Sequence, residues 1–228
     1  MSLFTIDQGN TNSTIVEWIN GAPNQVNEIS SVNSPVLVSN VKGTTFPDSF
    51  TDIKNIPHLF DHLDMDIHYE KSLGVDRLMA AYGIFKKEEC KSVLCIDAGT
   101  FTTVDHITHL GFQGGLILPG NHLLERTYHQ GHAFHDVKVS LKPANHYPFQ
   151  TTTDCLNSSI SFMLAQTYKS IILSKKIDKI YLSGGNANFH VNLIESLQSN
   201  VTITLDNQLV HKGLFELSKT LEKKEVIQ

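Results

Sequence analysis

The chain opens on an apolar run, Leu3 to Ile6, that gives way to a polar stretch, Asp7 to Asn12, and resumes at Ser13 to Trp18 with β-branched residues. A buried strand, a turn and a returning strand account for that alternation, so the segment predicts a hairpin. The pattern returns further along: Val93 to Ile96 reads as a buried strand, Asp97 to Phe101 as a turn and Thr102 to Ile107 as the return. Aligning Asp7 with Asp97 also aligns Gly9 with Gly99, a spacing of 90 residues. That period is too long for a solenoid and suits a duplicated domain. The repeat alone places a boundary near residues 88 to 92, giving halves of 1–90 and 91–228.

Between the hairpins, Leu73 to Glu88 lacks proline and carries Leu78, Met79, Tyr82 and Phe85 at helical spacing, with Gly74 just ahead of the expected helix. After the second hairpin, Leu116 to Leu118 reads as a strand stopped by Pro119 and Gly120. From Asp154 to Lys175 an apolar stripe runs through Leu156, Ile160, Met163, Leu164, Thr167, Ile171 and Ile172, predicting the longest helix. Lys179 to Ala187 reads as a buried strand ending in a small-residue turn, followed by a helical segment from Phe189 to Leu197.

Composition narrows the function classes. At 228 residues and 40% apolar content the chain can bury a sizeable core. A net charge of -5, with Lys86, Lys87 and Lys91 interleaved with Glu88 and Glu89, argues against nucleic-acid binding. Cys90, Cys95 and Cys155 show no CxxC spacing, so neither a disulfide framework nor a zinc knuckle is indicated, and a reducing cytoplasm is expected. No run is long enough to cross a bilayer, and the start lacks the marks of a signal peptide. Cys95 reads as a small core residue and Trp18 as a packing residue.

The two turns carry the chemistry. A glycine past a strand end lets backbone N–H groups approach a ligand without a Cβ in the way. Asn10, Thr11, Asn12 and Ser13 add donors suited to phosphate oxygens. An acid at the head of such a turn would repel bare phosphate, so Asp7 makes sense with Mg2+ between them, which implies a metal nucleotide. Ordinary hairpin chemistry also explains one Asp-x-Gly turn; it does not require both hairpins to begin with Asp. A P-loop and the protein-kinase motif set are absent from the sequence. Gly74 to Arg77, "GVDR", adds an acid and a base at a helix start, where Asp76 also reads as a favourable helix-dipole partner. His122, His129, His132 and His135 invite a metal reading if they share a helix, but the spacing lacks a third well-placed ligand, and surface or structural histidines explain them as well.

Together, "DQGNTN" (Asp7 to Asn12), "LGVDR" (Leu73 to Arg77), "DAGTFTTVD" (Asp97 to Asp105), "GGLILPG" (Gly114 to Gly120) and "SGGNA" (Ser183 to Ala187) resemble the ordered motif set of type III pantothenate kinases. The resemblance implies an α/β fold of the sugar kinase, Hsp70 and actin superfamily. Its two ribonuclease-H-like halves, mixed sheets flanked by helices, hold a nucleotide in the cleft between them. It implies ATP-dependent phosphorylation of pantothenate, the first step of coenzyme A synthesis, with Mg2+ and a monovalent cation, K+ or NH4+. By matching position, Asp7, Gln8, Gly9, Asn10, Thr11, Asn12, Ser13 and Thr14 would form the ATP phosphate loop, with Thr100 a further ATP contact. Asp97 would bind the monovalent cation and Asp76 would be the catalytic carboxylate. Gly74, Val75, Asp76 and Arg77 would contact pantothenate, with Thr152 and Tyr69 as further substrate contacts. The family also implies a homodimer. Rival readings are another small-molecule kinase of the superfamily and an inactive relative acting as a regulatory or binding protein.

Overall fold

The computed structural model describes residues 2–30, 34–88, 92–144 and 147–223, and divides into two compact units. One comprises Met1–Cys90, Ile107–Gly114 and Gln208–Gln228; the other comprises Lys91–His106 and Gly115–Asn207. A split at residue 90 alone would assign the C-terminal segment and Ile107–Gly114 to the second half; their contacts put both in the first unit. Cys90, with Glu89 and Lys91 beside the expected boundary, lies outside the described residues.

In the first unit, β1 (Leu3–Gln8), β2 (Ser13–Ile19), β3 (Ala22–Val26), β4 (Val36–Asn40) and β5 (Thr51–Asp52) form a sheet in the order β3-β2-β1-β4-β5. The β1–β2 and β2–β3 pairs are antiparallel, whereas β1–β4 and β4–β5 are parallel. One face of β1 presents Phe4 and Ile6, which join Val36 and Val38 in a buried cluster closed by Ile15, Val26, Ile29, Phe46 and Phe50. Side chains alternate along a strand, so Thr5 and Asp7 share the opposite face. The register sets Asp7 against Thr14 and Thr5 against Val16. A two-residue strand, β6 (Asp66–Ile67), precedes α1 (Val75–Lys87), the helix expected from the spacing of Leu78, Met79, Tyr82 and Phe85.

The second unit is built on β7 (Ser92–Ala98) and most of β8 (Phe101–Thr108) and β9 (Gly111–Pro119), followed by α2 (Asn121–Tyr128), α3 (Thr152–Lys175), β10 (Lys179–Ser183), α4 (Ala187–Glu195) and β11 (Thr202–Leu205). Its strands run in the order β11-β10-β7-β8-β9, and β10 is parallel to both β7 and β11. The core gathers Leu94, Ile96, Ile180 and Leu182 from the sheet, Ile160, Leu164, Tyr168 and Ile172 from α3, and Leu193 and Ile194 from α4. The α3 stripe is therefore buried on one side as its periodicity required, although Met163 on its flank is exposed. Cys95 is buried and unbridged.

The last helix, α5 (Leu209–Lys223), returns to the first unit and packs along α1. Trp18 is buried against it, its ring stacked on that of Phe215 with centroids 4.1 Å apart. Among the described residues no helix is long and apolar enough to cross a membrane.

Each unit buries a histidine. His190 meets the Tyr168 hydroxyl at 2.7 Å, and His211 lies between two threonines. Burial pushes both imidazoles down to about 4. The folded chain thus keeps them neutral while the unfolded chain protonates near 6.5, so stability is full above that pH and falls as pH drops towards 4. Each histidine should contribute on the order of 3 kcal/mol to that loss. Urea unfolding at pH 7 and pH 4.5 is expected to show a lower midpoint at the acid value, and an unchanged midpoint would contradict the burial of these rings as neutral species.

Candidate active site

The first acidic turn differs from the sequence expectation in its limits. Asp7 and Gln8 lie within β1, and the turn is Gly9–Asn12, closed by the Gly9 N–H donating to the Asn12 carbonyl at 3.0 Å. In the second hairpin Asp97 and Ala98 lie within β7, and only Gly99 and Thr100 form the turn, with Gly99 N–H donating to the Phe101 carbonyl at 3.0 Å. The 90-residue correspondence therefore holds up to the glycines and is lost after them, because the first turn is two residues longer. Asn10, Thr11, Asn12 and Ser13 are exposed at its tip, whereas Asp7, Gln8, Gly9 and Thr14 are half-buried. A strand-end acid beneath an exposed amide-rich turn is the arrangement that the phosphate-loop reading requires.

The second turn sits in a tight backbone cradle. Gly120 N–H donates to the Thr100 carbonyl at 3.0 Å, and a Cβ on Gly120 would fall 2.4 Å from the Gly99 carbonyl oxygen. Opposite the strand end, Gly184 has φ +92° and lies so close that a Cβ would come within 2.6 Å of the Ala98 carbonyl and 2.7 Å of Asp97 Oδ1. Asn186 N–H donates to the Ala98 carbonyl at 3.0 Å. The motifs "DAGT", "LPG" and "SGGN", far apart in sequence, thus converge around Asp97, and two of their glycines are required by close approach. Thr100 is exposed at the tip.

A third cluster, within the first unit, surrounds the start of α1. Gly74 occupies the N-cap, and a Cβ there would meet Asp76 Oδ1 at 2.6 Å, so the carboxylate folds back over the glycine. The same oxygen accepts the Arg77 N–H at 2.8 Å, which suits an acid in the first helical turn. Arg77 is buried, with its guanidinium 5.4 Å from the Tyr69 ring centroid and 5.8 Å from that of Phe112. Those two rings meet edge to face at 5.8 Å. Two aromatic walls hold the guanidinium by cation–π attraction and leave it few alternative positions. Tyr69 stands beside the GVDR motif and is 40% exposed, so its ring is both wall and surface. Val75 is half-buried. Phe112 was not among the residues singled out in the sequence; its glycine-flanked position at a hairpin tip gives no local signal, and only the parallel pairing of β6 with residues 111–112 brings it here.

The structure leaves Thr152 exposed in the first turn of α3, where its neighbour Thr151 caps the helix by accepting the Asp154 N–H at 3.1 Å. The histidine run does not share a helix: α2 ends at Tyr128, His129 caps it, and His132 begins a separate 3-10 turn. His122, exposed, faces half-buried Glu125 at 3.6 Å, and His135 faces Asp136 at 3.0 Å at the surface. Among the described residues no group of three His, Cys, Asp or Glu side chains could hold a metal ion. Half-buried single carboxylates at glycine turns fit a different donor set, in which a hard cation takes its remaining ligands from phosphate and water. Asp7 and Asp97 have that donor chemistry, and the exposed amide-rich first turn suits phosphate oxygens.

Two mixed α/β units, each with a β-hairpin whose first strand carries an acid at its penultimate position before a glycine turn, define the actin-like ATPase and sugar-kinase fold class. The family model of type III pantothenate kinases matches residues 24–174, and the chain belongs to that family. The type III pantothenate kinase of Sulfurimonas denitrificans is 28% identical over 161 residues, covering 69% of this chain and 68% of that one. Among solved structures, a Campylobacter jejuni protein assigned to the Baf family of transcriptional activators superposes with a TM-score of 0.63 at 23% identity, over 98% of this chain and 100% of that one. A Sinorhizobium meliloti protein assigned as a 2-dehydro-3-deoxygalactonokinase gives 0.60 at 13% identity, over 97% and 98%. At such identities these structures carry the fold alone. Family membership identifies the chain as a kinase, a phosphotransferase.

Proposed function

We propose that the chain transfers the terminal phosphoryl group of ATP to the primary hydroxyl of pantothenate, giving 4'-phosphopantothenate for coenzyme A synthesis. The family match over residues 24–174 carries this reading, and the packed Gly74–Arg77 cluster with its Tyr69 and Phe112 walls supports it. Residues 7–14 and Thr100 would bind the nucleotide phosphates through turn amides and hydroxyls. Asp7 would hold Mg2+ directly or through water, and Asp97 a monovalent cation. Mg2+, when bound with ATP, neutralises charge on the transferred group.

The protein's own part is positioning. A primary alcohol is far less acidic than an aspartic acid, so Asp76 does not strip the proton in the ground state. In a loose phosphoryl-transfer transition state the nucleophile needs little prior deprotonation; the carboxylate orients the hydroxyl and takes the proton late. Gly74 leaves room for the carboxylate, and Arg77, held between its aromatic walls, would face the substrate's own carboxylate. Thr152 is a further proposed substrate contact, and a homodimer the proposed assembly.

A panel of pantothenate, hexoses and small hydroxy acids, with ADP release as the readout, tests the reading. Turnover with pantothenate is expected; turnover with a sugar instead, or with no acceptor, would replace it with another kinase or with a binding protein. Exchanging K+ for Na+ in that assay is expected to depress turnover, and indifference to the cation would remove Asp97 from its role.

A further inference from the structure

Behind the first turn lies a buried hydrogen-bonded chain that the mechanism above does not use. Trp18 Nε1 donates to Thr5 Oγ1 at 3.0 Å. Thr5 Oγ1 meets His211 Nδ1 at 2.9 Å, and His211 Nε2 meets Thr14 Oγ1 at 2.8 Å. Trp18, Thr5 and His211 are buried, while Thr14 is half-buried and pairs with Asp7 across the β1–β2 ladder.

The directions of these bonds follow from the donors available. An indole N–H can only donate, so it occupies an acceptor site on Thr5. The single Thr5 hydrogen has two possible destinations, His211 Nδ1 at 2.9 Å or the Val16 carbonyl at 3.4 Å. The shorter contact takes it. Nδ1 is then an acceptor, so in a neutral ring the hydrogen sits on Nε2 and is donated to Thr14 Oγ1. The opposite tautomer would load Thr5 with two donors and leave its hydrogen to the stretched contact. Burial keeps the ring neutral at working pH. With its oxygen receiving the His211 hydrogen, Thr14 keeps its own hydrogen to donate outside this chain.

We propose that His211 is a positioning residue of the phosphate turn: as the neutral Nε2–H tautomer it orients the Thr14 hydroxyl as a donor to a phosphate oxygen held at Gly9–Asn12. The proposal rests on the reading of residues 7–14 as the ATP loop. It gives the C-terminal helix α5 a part in nucleotide affinity beyond its packing.

Two measurements test it. The imidazole 15N spectrum of the wild-type protein, with the His211 signals identified by their loss in His211→Gln, is expected to show a protonated Nε2 and an unprotonated Nδ1; the reverse pattern overturns the proposal. Calorimetric titration with a non-hydrolysable ATP analogue and Mg2+ is expected to give a dissociation constant about tenfold higher or more for Thr14→Val, the scale of a hydrogen bond to a charged group. His211→Leu should weaken binding comparably, His211→Gln, which keeps an amide donor, should recover most of the loss, and the double variant Thr14→Val/His211→Leu should bind no worse than Thr14→Val alone. Additive losses in folded variants make His211 merely structural and overturn the proposal, leaving the loop reading intact. Absence of nucleotide binding by the wild-type protein overturns the loop reading and the proposal together. The tautomer is read on the wild-type ring, so the test stands even where His211→Leu does not fold.

Discussion

Asp76→Asn is expected to lower kcat by about 10²-fold or more, the scale of a lost general acid–base group. The fold should survive the change. Asparagine keeps an oxygen that accepts the Arg77 N–H, now made at 2.8 Å, and fits over the same uncrowded Gly74. What it loses is the negative charge, which costs the start of α1 about 0.3–1 kcal/mol through the helix dipole. On the proposed mechanism the proton acceptor for the attacking hydroxyl goes with it. Steady-state kinetics beside a thermal melt separates the two effects. Near wild-type turnover in a soluble variant would remove Asp76 from catalysis, and a collapsed melting temperature would mean its role is chiefly structural.

Gly213→Ala carries the largest expected cost in stability. A Cβ at this position would lie 1.9 Å from the Met79 carbonyl oxygen and 2.5 Å from its carbon, both backbone atoms of α1. From the other side, a Cβ on Gly83 would come within 2.8 Å of the Gly213 nitrogen. The two helices touch backbone to backbone there, so one methyl group forces them apart. Overpacking of this kind costs about 3 kcal/mol or more, or a fall in Tm of roughly 6–12 °C for a chain of this length. Because α1 begins at the GVDR motif, kcat should fall too, since displacements near 1 Å cost about 10²-fold when a catalytic group must be held in place. A melt unchanged from wild type would contradict the close packing of α1 on α5.

These two residues mark the limits of what the sequence made legible. The helix start that carries Asp76 was legible because its signal is local: Gly74 followed two residues on by an acid, at the head of a run with clear apolar spacing. The hairpins were legible for the same reason, apolar runs broken by glycine and amide residues, and only their turn limits shifted, by a residue or two. The region containing Gly213 offered no such cue. In α5 the apolar stripe of Leu209, Leu214, Leu217 and Leu221 is shared with buried His211, Gly213 and Ser218, which disguise the core-facing side. Their meaning depends on partners more than a hundred residues away, Met79 for the glycine and Thr5 and Thr14 for the histidine. β4 was missed because its all-buried run Val36–Asn40 earns its place by parallel pairing with β1, which local pattern does not reveal. Phe112 reaches Arg77 through an equally non-local pairing. The histidine run failed in the other direction: its spacing suggested one helix, but α2 stops at Tyr128 and divides the imidazoles among separate turns.

The most direct measurement is phosphorus NMR of the product formed from pantothenate, ATP, Mg2+ and K+. A single new phosphomonoester coupled to the terminal methylene protons of pantothenate, formed in step with ADP, is the predicted result. ADP formed without that ester, or no consumption of ATP by well-folded protein, would contradict the account.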